Sequence, residues 1–219
     1  MRIPWYFQSL ASAVLLSFGA VAPLHAATIT FDTAISGSTS SAFDGDGDGT
    51  DDVVFSTTDP SGFNTVGPGA NQNFIQEPGL EGTTELNPDL RVDFLNGAED
   101  GVSFGFALDS DVSDPGYFAS IDLYDSSGDV IGGASEVADF TTTPAGISSF
   151  PEGQVTAEFS GVASYGTFDF TSQNGRYIID NFQGTFGSSE GIPVPAPAPL
   201  ALMGLSLAGL GFSRLKNRM

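Results

Sequence analysis

The sequence predicts an all-β protein, an antiparallel two-sheet sandwich or jelly roll, on three observations. Short alternating runs of apolar and polar residues recur between residues 27 and 188, with Gly, Asp, Ser and Pro between them. Helical periodicity is hard to find over the same stretch. Nineteen phenylalanines, most of them inside the runs, are enough to fill a core between two sheets.

Taken in order, the first run is 28–32, Thr-Ile-Thr-Phe-Asp, and the second, 52–57, follows an acidic loop. The run 90–95 places Val92 and Phe94 on one face. Val102, Phe104, Phe106 and Leu108 then alternate with Ser103, Gly105 and Ala107. Ala119, Ile121 and Leu123 alternate with Ser120, Asp122 and Tyr124. Asp125-Ser-Ser-Gly128 is a turn, so 117–133 reads as a hairpin ending in Val130 and Ile131. The remaining runs are 155–159, 165–170 and 176–186. Residues 58–89 are rich in Gly, Pro, Asn and Glu, with one weak apolar patch at Phe74-Ile75, and read as a long excursion on one edge of the sandwich.

The two ends are of another kind. Met1-Arg2, an apolar core over 10–22 and the small-residue site Leu24-His25-Ala26 make a signal peptide cleaved between Ala26 and Ala27. At the other end Pro193, Pro195, Pro197 and Pro199 hold the chain extended. An uncharged apolar segment, 200–212, follows, and then Arg214, Lys216 and Arg218. A helix over 199–215 would be about 25 Å long at roughly 1.5 Å per residue. That is short for a hydrocarbon core of about 30 Å, unless the basic side chains snorkel to the interface. The expected organisation is a signal peptide (1–26), a β-sandwich domain (27–188), a Pro-rich linker (189–199) and a transmembrane-type sorting tail (200–219), with helices in both end segments.

This tail resembles the PEP-CTERM protein-sorting signal of bacteria. The motif falls on Val194, Pro195, Ala196 and Pro197, with alanine where the family usually has glutamate. The resemblance covers residues 193–219. It implies an exosortase-type processing enzyme as partner, a membrane-anchored intermediate held by the C-terminal helix, and a destination at the cell surface or extracellular matrix.

Composition narrows the chemistry of the domain between the ends, about 165 residues and one domain by length. All 27 acidic residues lie between the leader and the apolar tail, against two basic ones, Arg91 and Arg176. Such a surface repels a phosphate backbone, so nucleic acid is not expected as a partner. The only histidine, His25, and the only tryptophan, Trp5, fall in the leader, the only lysine falls in the tail, and cysteine is absent. Ser-His-Asp and Cys-His catalysis, Schiff-base lysines and His-ligated zinc are therefore excluded for the domain.

The sharpest chemical motif is Asp44-Gly-Asp-Gly-Asp-Gly-Thr-Asp-Asp52. Carboxylates at alternate positions of a Gly-rich turn can converge on Ca2+. Asp44, Asp46 and Asp48 take positions 1, 3 and 5, Gly49 the sharp turn, Thr50 a carbonyl ligand at position 7, and Asp52 position 9. An EF-hand needs glutamate at position 12 and flanking helices, whereas Phe55 stands there; the loop instead resembles those of extracellular calcium-binding repeats. An acidic turn without an ion is the plainer alternative. Asp180 in the last run reads first as an ordinary outward strand residue. The body also resembles jelly-roll carbohydrate-binding modules, and that resemblance implies a second, weaker calcium site shared by Asp32 and Asp180.

The function expected from these features is that of a non-catalytic exported protein of the surface or matrix, binding calcium and associated with extracellular polysaccharide. Tyr117, Tyr124, Tyr165 and Tyr177 are the aromatics able to stack on sugars, although most sheet tyrosines simply pack. The alternative is a polysaccharide-active enzyme, a glycoside hydrolase or lyase working with paired carboxylates.

Overall fold

A computed structural model of the chain describes residues 26–45, 47–65, 67, 69–76 and 78–186. Each alternating run overlaps a strand, and every strand pairing is antiparallel. The strands are β1 (Ala26–Ile29), β2 (Ser40–Phe43), β3 (Val53–Ser56), β4 (Leu80–Thr83), β5 (Leu90–Leu108), β6 (Phe118–Tyr124), β7 (Val130–Val137), β8 (Thr142–Thr143), β9 (Gly146–Ile147), β10 (Glu152–Glu158), β11 (Ala163–Phe170) and β12 (Arg176–Phe186). No helix occurs among the described residues, and none there is long and apolar enough to cross a membrane. Both expected end helices, and the motif Val194, Pro195, Ala196 and Pro197, lie outside the described residues.

One strand corrects the sequence reading. The runs 90–95 and 102–108 are not two strands but the halves of β5, a single strand of 19 residues. Its first half pairs with β3 and β11, and its second half with β10 and β12. Between the halves Gly97 and Asp100 adopt φ of 86° and 67°, and the registers with β11 and β12 both slip nearby. Alternation is interrupted at this corner, so the run looks like two strands in sequence. Structurally it is the bend by which one strand passes between two layers.

The first layer runs β2–β3–β5–β11–β6–β7, and the second places β12 and β10 on either side of the second half of β5, with β1 and β4 on β12. Phenylalanines from both layers meet in the middle. Phe55 of β3 meets Phe182 of β12 edge-on at 5.1 Å, and Phe104 of β5 meets Phe168 of β11 at 5.0 Å. All four rings are fully buried. Edge-to-face aromatic pairs of this kind add about 0.5–1.5 kcal/mol beyond the area they bury. The 125–128 turn closes the β6–β7 hairpin as expected, with the Gly128 N–H donating to the Asp125 carbonyl and Gly128 at φ 85°.

The chain enters and leaves the described domain on one edge. Ala26 pairs with Thr185 and Ala27 with Gly184. The residue at the expected signal cleavage site is thus a strand neighbour of a residue close to the start of the C-terminal linker.

Candidate functional site

Residues 58–89 do not hang from an edge. Their middle, 69–76, crosses the outer face of the second layer as a strap. The reason lies in the alternation of β5 and β12. With Phe104, Phe106, Tyr177 and Ile179 facing the core, Gly105, Ala107, Ile178 and Asp180 face outward, and Gly105 pairs with Asp180 as Ala107 does with Ile178. Gly105 leaves a gap that the strap fills: a Cβ at this position would lie 2.0 Å from the Phe74 carbonyl oxygen. Ile75 then buries itself on Ala107 and Ile178, with Phe150 against them.

Two buried carboxylates tie the strap down. Glu152, at the start of β10 and 2% exposed, accepts the N–H groups of Asn73 at 2.8 Å and Phe74 at 3.0 Å, and the Thr141 hydroxyl. Asp180, also 2% exposed, accepts the Gln76 N–H at 2.8 Å through Oδ2. Asn181 Nδ2 donates to the Phe74 carbonyl at 3.1 Å. Backbone N–H groups that would otherwise be orphaned over an apolar surface are thereby satisfied.

Asp180 is the least ordinary of these groups. It does point outward from its sheet, but the strap covers it, so its reading as a plain surface residue is corrected. Its Oδ1 is buried and has no hydrogen-bond partner among the described residues. Burial pushes its pKa up to about 6; the N–H dipoles of Gln76 and Asn181 pull it down, and the charge of Asp32 pushes it up. Asp32 is exposed and accepts the Thr30 hydroxyl at 2.7 Å. Asp32 thus acts on Asp180 through its charge. The residues beside them, Phe31 and Asn181, have φ of 56° and 52°. Left-handed backbone at non-glycine residues costs on the order of 1–3 kcal/mol and clusters at functional sites. Asp180 and Asp32 are two carboxylates, against the roughly six to eight oxygen ligands that Ca2+ takes.

The acidic loop folds around its own backbone. Asp44 accepts the N–H groups of Gly47 at 2.6 Å and Gly49 at 2.7 Å, and Asp48 accepts that of Thr50 at 2.7 Å. Gly47 and Gly49 are left-handed, with φ of 80° and 91°. Asp52 is buried at the neck, where Oδ2 accepts the Gly45 N–H at 2.9 Å and Oδ1 the Asn96 amide at 3.2 Å. Asp44, Asp48 and Thr50 are exposed at the tip, and Asp46 lies outside the described residues. Among the described residues no group of three or more His, Cys, Asp or Glu side chains stands ready for a metal.

Asp89 is a further buried carboxyl, pushed up to about 6 chiefly by burial. It accepts the Phe170 N–H at 2.8 Å and the Leu86 N–H at 3.2 Å, and its own carbonyl accepts the Tyr177 hydroxyl. It pins the segment before β5 to the end of β11, a structural task.

The four tyrosines are each engaged by a neighbour. Tyr177 is 1% exposed and stacks on Phe170 at 3.9 Å. Tyr165 lies between Tyr124, parallel at 4.7 Å, and Arg91, whose guanidinium carbon is 4.0 Å above the ring. Tyr117 packs against the core. Both arginines of the domain are ion-paired, Arg91 with Asp93 and Arg176 with Glu81.

An acidic all-β sandwich with a carboxylate-tied strap is the class these observations define. No family model matches the chain, and no curated protein matches it. Among solved structures, the K2 cleaved adhesin domain of Lys-gingipain is similar at 18% identity over 74% of this chain and 100% of that one, with a TM-score of 0.36. The K3 adhesin domain of Lys-gingipain from Porphyromonas gingivalis is similar at 15% identity over 74% and 100%, with a TM-score of 0.38. The catalytic domain of a GH87 alpha-1,3-glucanase is similar at 11% identity over 80% of this chain and 30% of that one, with a TM-score of 0.37. Likeness this loose carries no functional argument.

Proposed function

We propose that the chain is a non-catalytic, exported protein of the cell surface or extracellular matrix. Its signal peptide is removed, its PEP-CTERM-like tail holds it briefly in the membrane, and an exosortase-type enzyme then releases it from that tail. The observation that carries this reading is the pairing of Ala26 with Thr185. Leader and linker join the sandwich on adjacent strands, so both can be cut away without opening the core. Cleavage after Ala26 leaves Ala27, Thr28 and Ile29 paired on β12.

Calcium is the cation this acidic domain would take. Asp32 and Asp180 would hold it at the foot of the strap, and Asp44, Asp46 and Asp48 with the Thr50 carbonyl would hold it at the loop tip, with Asp52 closing the neck. Its chemistry would be structural, neutralising carboxylates that otherwise repel. Association with extracellular polysaccharide completes the reading.

The enzymatic alternative has one observation in its favour: Asp89 and Asp180 both have the raised pKa of a general acid. Against it, both are almost fully buried and accept backbone N–H groups. Fractionation of producing cells, with and without their exosortase-type enzyme, tests the proposal. The protein should move from the membrane fraction to the surface or medium only when that enzyme is present. Identical distributions in both strains would refute it.

A further inference from the structure

The bond at which the leader is expected to be cut lies inside a strand. Ala26 pairs with Thr185 and Ala27 with Gly184, so the Ala26–Ala27 amide is part of the β1–β12 ladder. No residue separates this bond from the sheet, because β1 begins at Ala26 itself. The strand is also anchored close by. Ile29 is 4% exposed and Phe31 1%, and the Phe31 ring meets Phe43 and Phe55 edge-on at 5.3 Å and 5.1 Å. A peptidase takes its substrate as an extended strand and reads the backbone groups along its edges. In the folded chain one edge of Ala26 and Ala27 is already taken by β12. Drawing β1 into an enzyme's cleft would break that pairing and pull Ile29 from the core.

We propose that the leader is removed only before β1 docks on β12, so that cleavage and folding compete for the same strand; the inference rests on the signal-peptide reading proposed above. The reaction is a hydrolysis. Water adds across the Ala26–Ala27 amide and leaves a carboxylate on Ala26 and an ammonium on Ala27. The core loses nothing by the cut, but the bond is out of reach once the ladder has formed. The topology favours the cut. β12 is the last strand of the sandwich, and its pairing with β1 joins opposite ends of the described chain. A contact of such long sequence separation is slow to form, and β12 cannot pair before it has been made. The bond therefore stays open while the strands from β2 to β11 are synthesised. A chain exported after folding would arrive with the bond already paired, so the leader peptidase needs a chain that crosses the membrane unfolded. A chain that folds first keeps its leader and remains tethered by it.

The test presents a membrane leader peptidase with the full-length precursor in vesicles, either during synthesis or after folding is complete, and reads the new N-terminus by mass. An Ile29→Asp precursor, whose β1 cannot bury itself on the core, is challenged in the same two ways. The expected result is that both nascent precursors are cut after Ala26 at similar rates. The folded parent should be cut at least about tenfold more slowly than the nascent parent, since cleavage then waits on the open population of β1. Folded Ile29→Asp should recover most of the nascent rate. A folded parent cut as fast as the nascent one would overturn the proposal, whatever the variant does. An Ile29→Asp precursor that is cut when nascent but becomes as resistant as the folded parent would also overturn it, because the protection would not come from the docking of β1. No cleavage after Ala26 in the nascent parent would instead remove the signal-peptide reading on which the proposal rests.

Discussion

The Gln76 N–H donates to Asp180 Oδ2 at 2.8 Å, while the other oxygen of the same buried carboxylate has no partner among the described residues. A strap residue is thus held by half of a carboxylate, and the remaining half is where the proposed calcium would bind. Asp180→Asn separates the two roles, because an amide oxygen keeps the Gln76 bond and brings no charge into the buried site. Without calcium at pH 7 the variant should match or exceed the parent in stability by about 1–2 kcal/mol. Any stabilisation by millimolar calcium at this site should vanish. Urea melts with calcium and with chelator check both outcomes.

Acid should stabilise the domain. Asp89 and Asp180 have pKa values of about 6 in the folded state, above the ordinary 3.8, so the native state holds more protons between those values. Their contribution is fully present below about pH 4 and is lost as pH rises through 6, on the order of 1–3 kcal/mol each. In chelator, the melting temperature should rise on going from pH 7 to pH 5, and Asp180→Asn should show a smaller rise. Saturating calcium should shrink the parent's rise as well, since a bound cation favours the ionised form.

Glu152 should matter more to stability than any exposed carboxylate. Glu152→Ala leaves the N–H groups of Asn73 and Phe74 and the Thr141 hydroxyl without their acceptor. The expected loss is about 2–4 kcal/mol, with hydrogen exchange at residues 73–76 speeded more than in the core. Gly105→Ala should free the same segment from the other side, because its methyl would collide with the Phe74 carbonyl.

The acidic loop makes a separate prediction. If it binds calcium, Asp46→Ala and Asp48→Ala should each reduce the calcium-induced rise in melting temperature while leaving the melt in chelator nearly unchanged. Unmoved melts in all cases would mark the loop as a turn held by its own backbone hydrogen bonds.

The sandwich was legible in the sequence because its signal is local. Period-two alternation at Val102–Leu108 and over 119–124 states which side of each strand is buried, and phenylalanine supplies the filling. The β5 corner was not legible, since Gly97 and Asp100 break the alternation as a loop would. The pairing of Asp32 with Asp180 came from a resemblance, but the burial of Asp180 depends on a strap that arrives from residues 69–76. Only the Phe74-Ile75 patch hinted at that strap, and nothing in the sequence distinguishes Glu152 from any other acidic residue. Long-range contacts across a sheet face leave no periodic trace in either partner.

The fate of the two ends is decisive, and the intact mass of the native protein recovered from the surface or medium measures it directly. The mass should correspond to a chain that begins at Ala27 and has lost the apolar and basic segment beyond the Pro-rich linker. A released protein that still carries residues 200–219 would contradict the account.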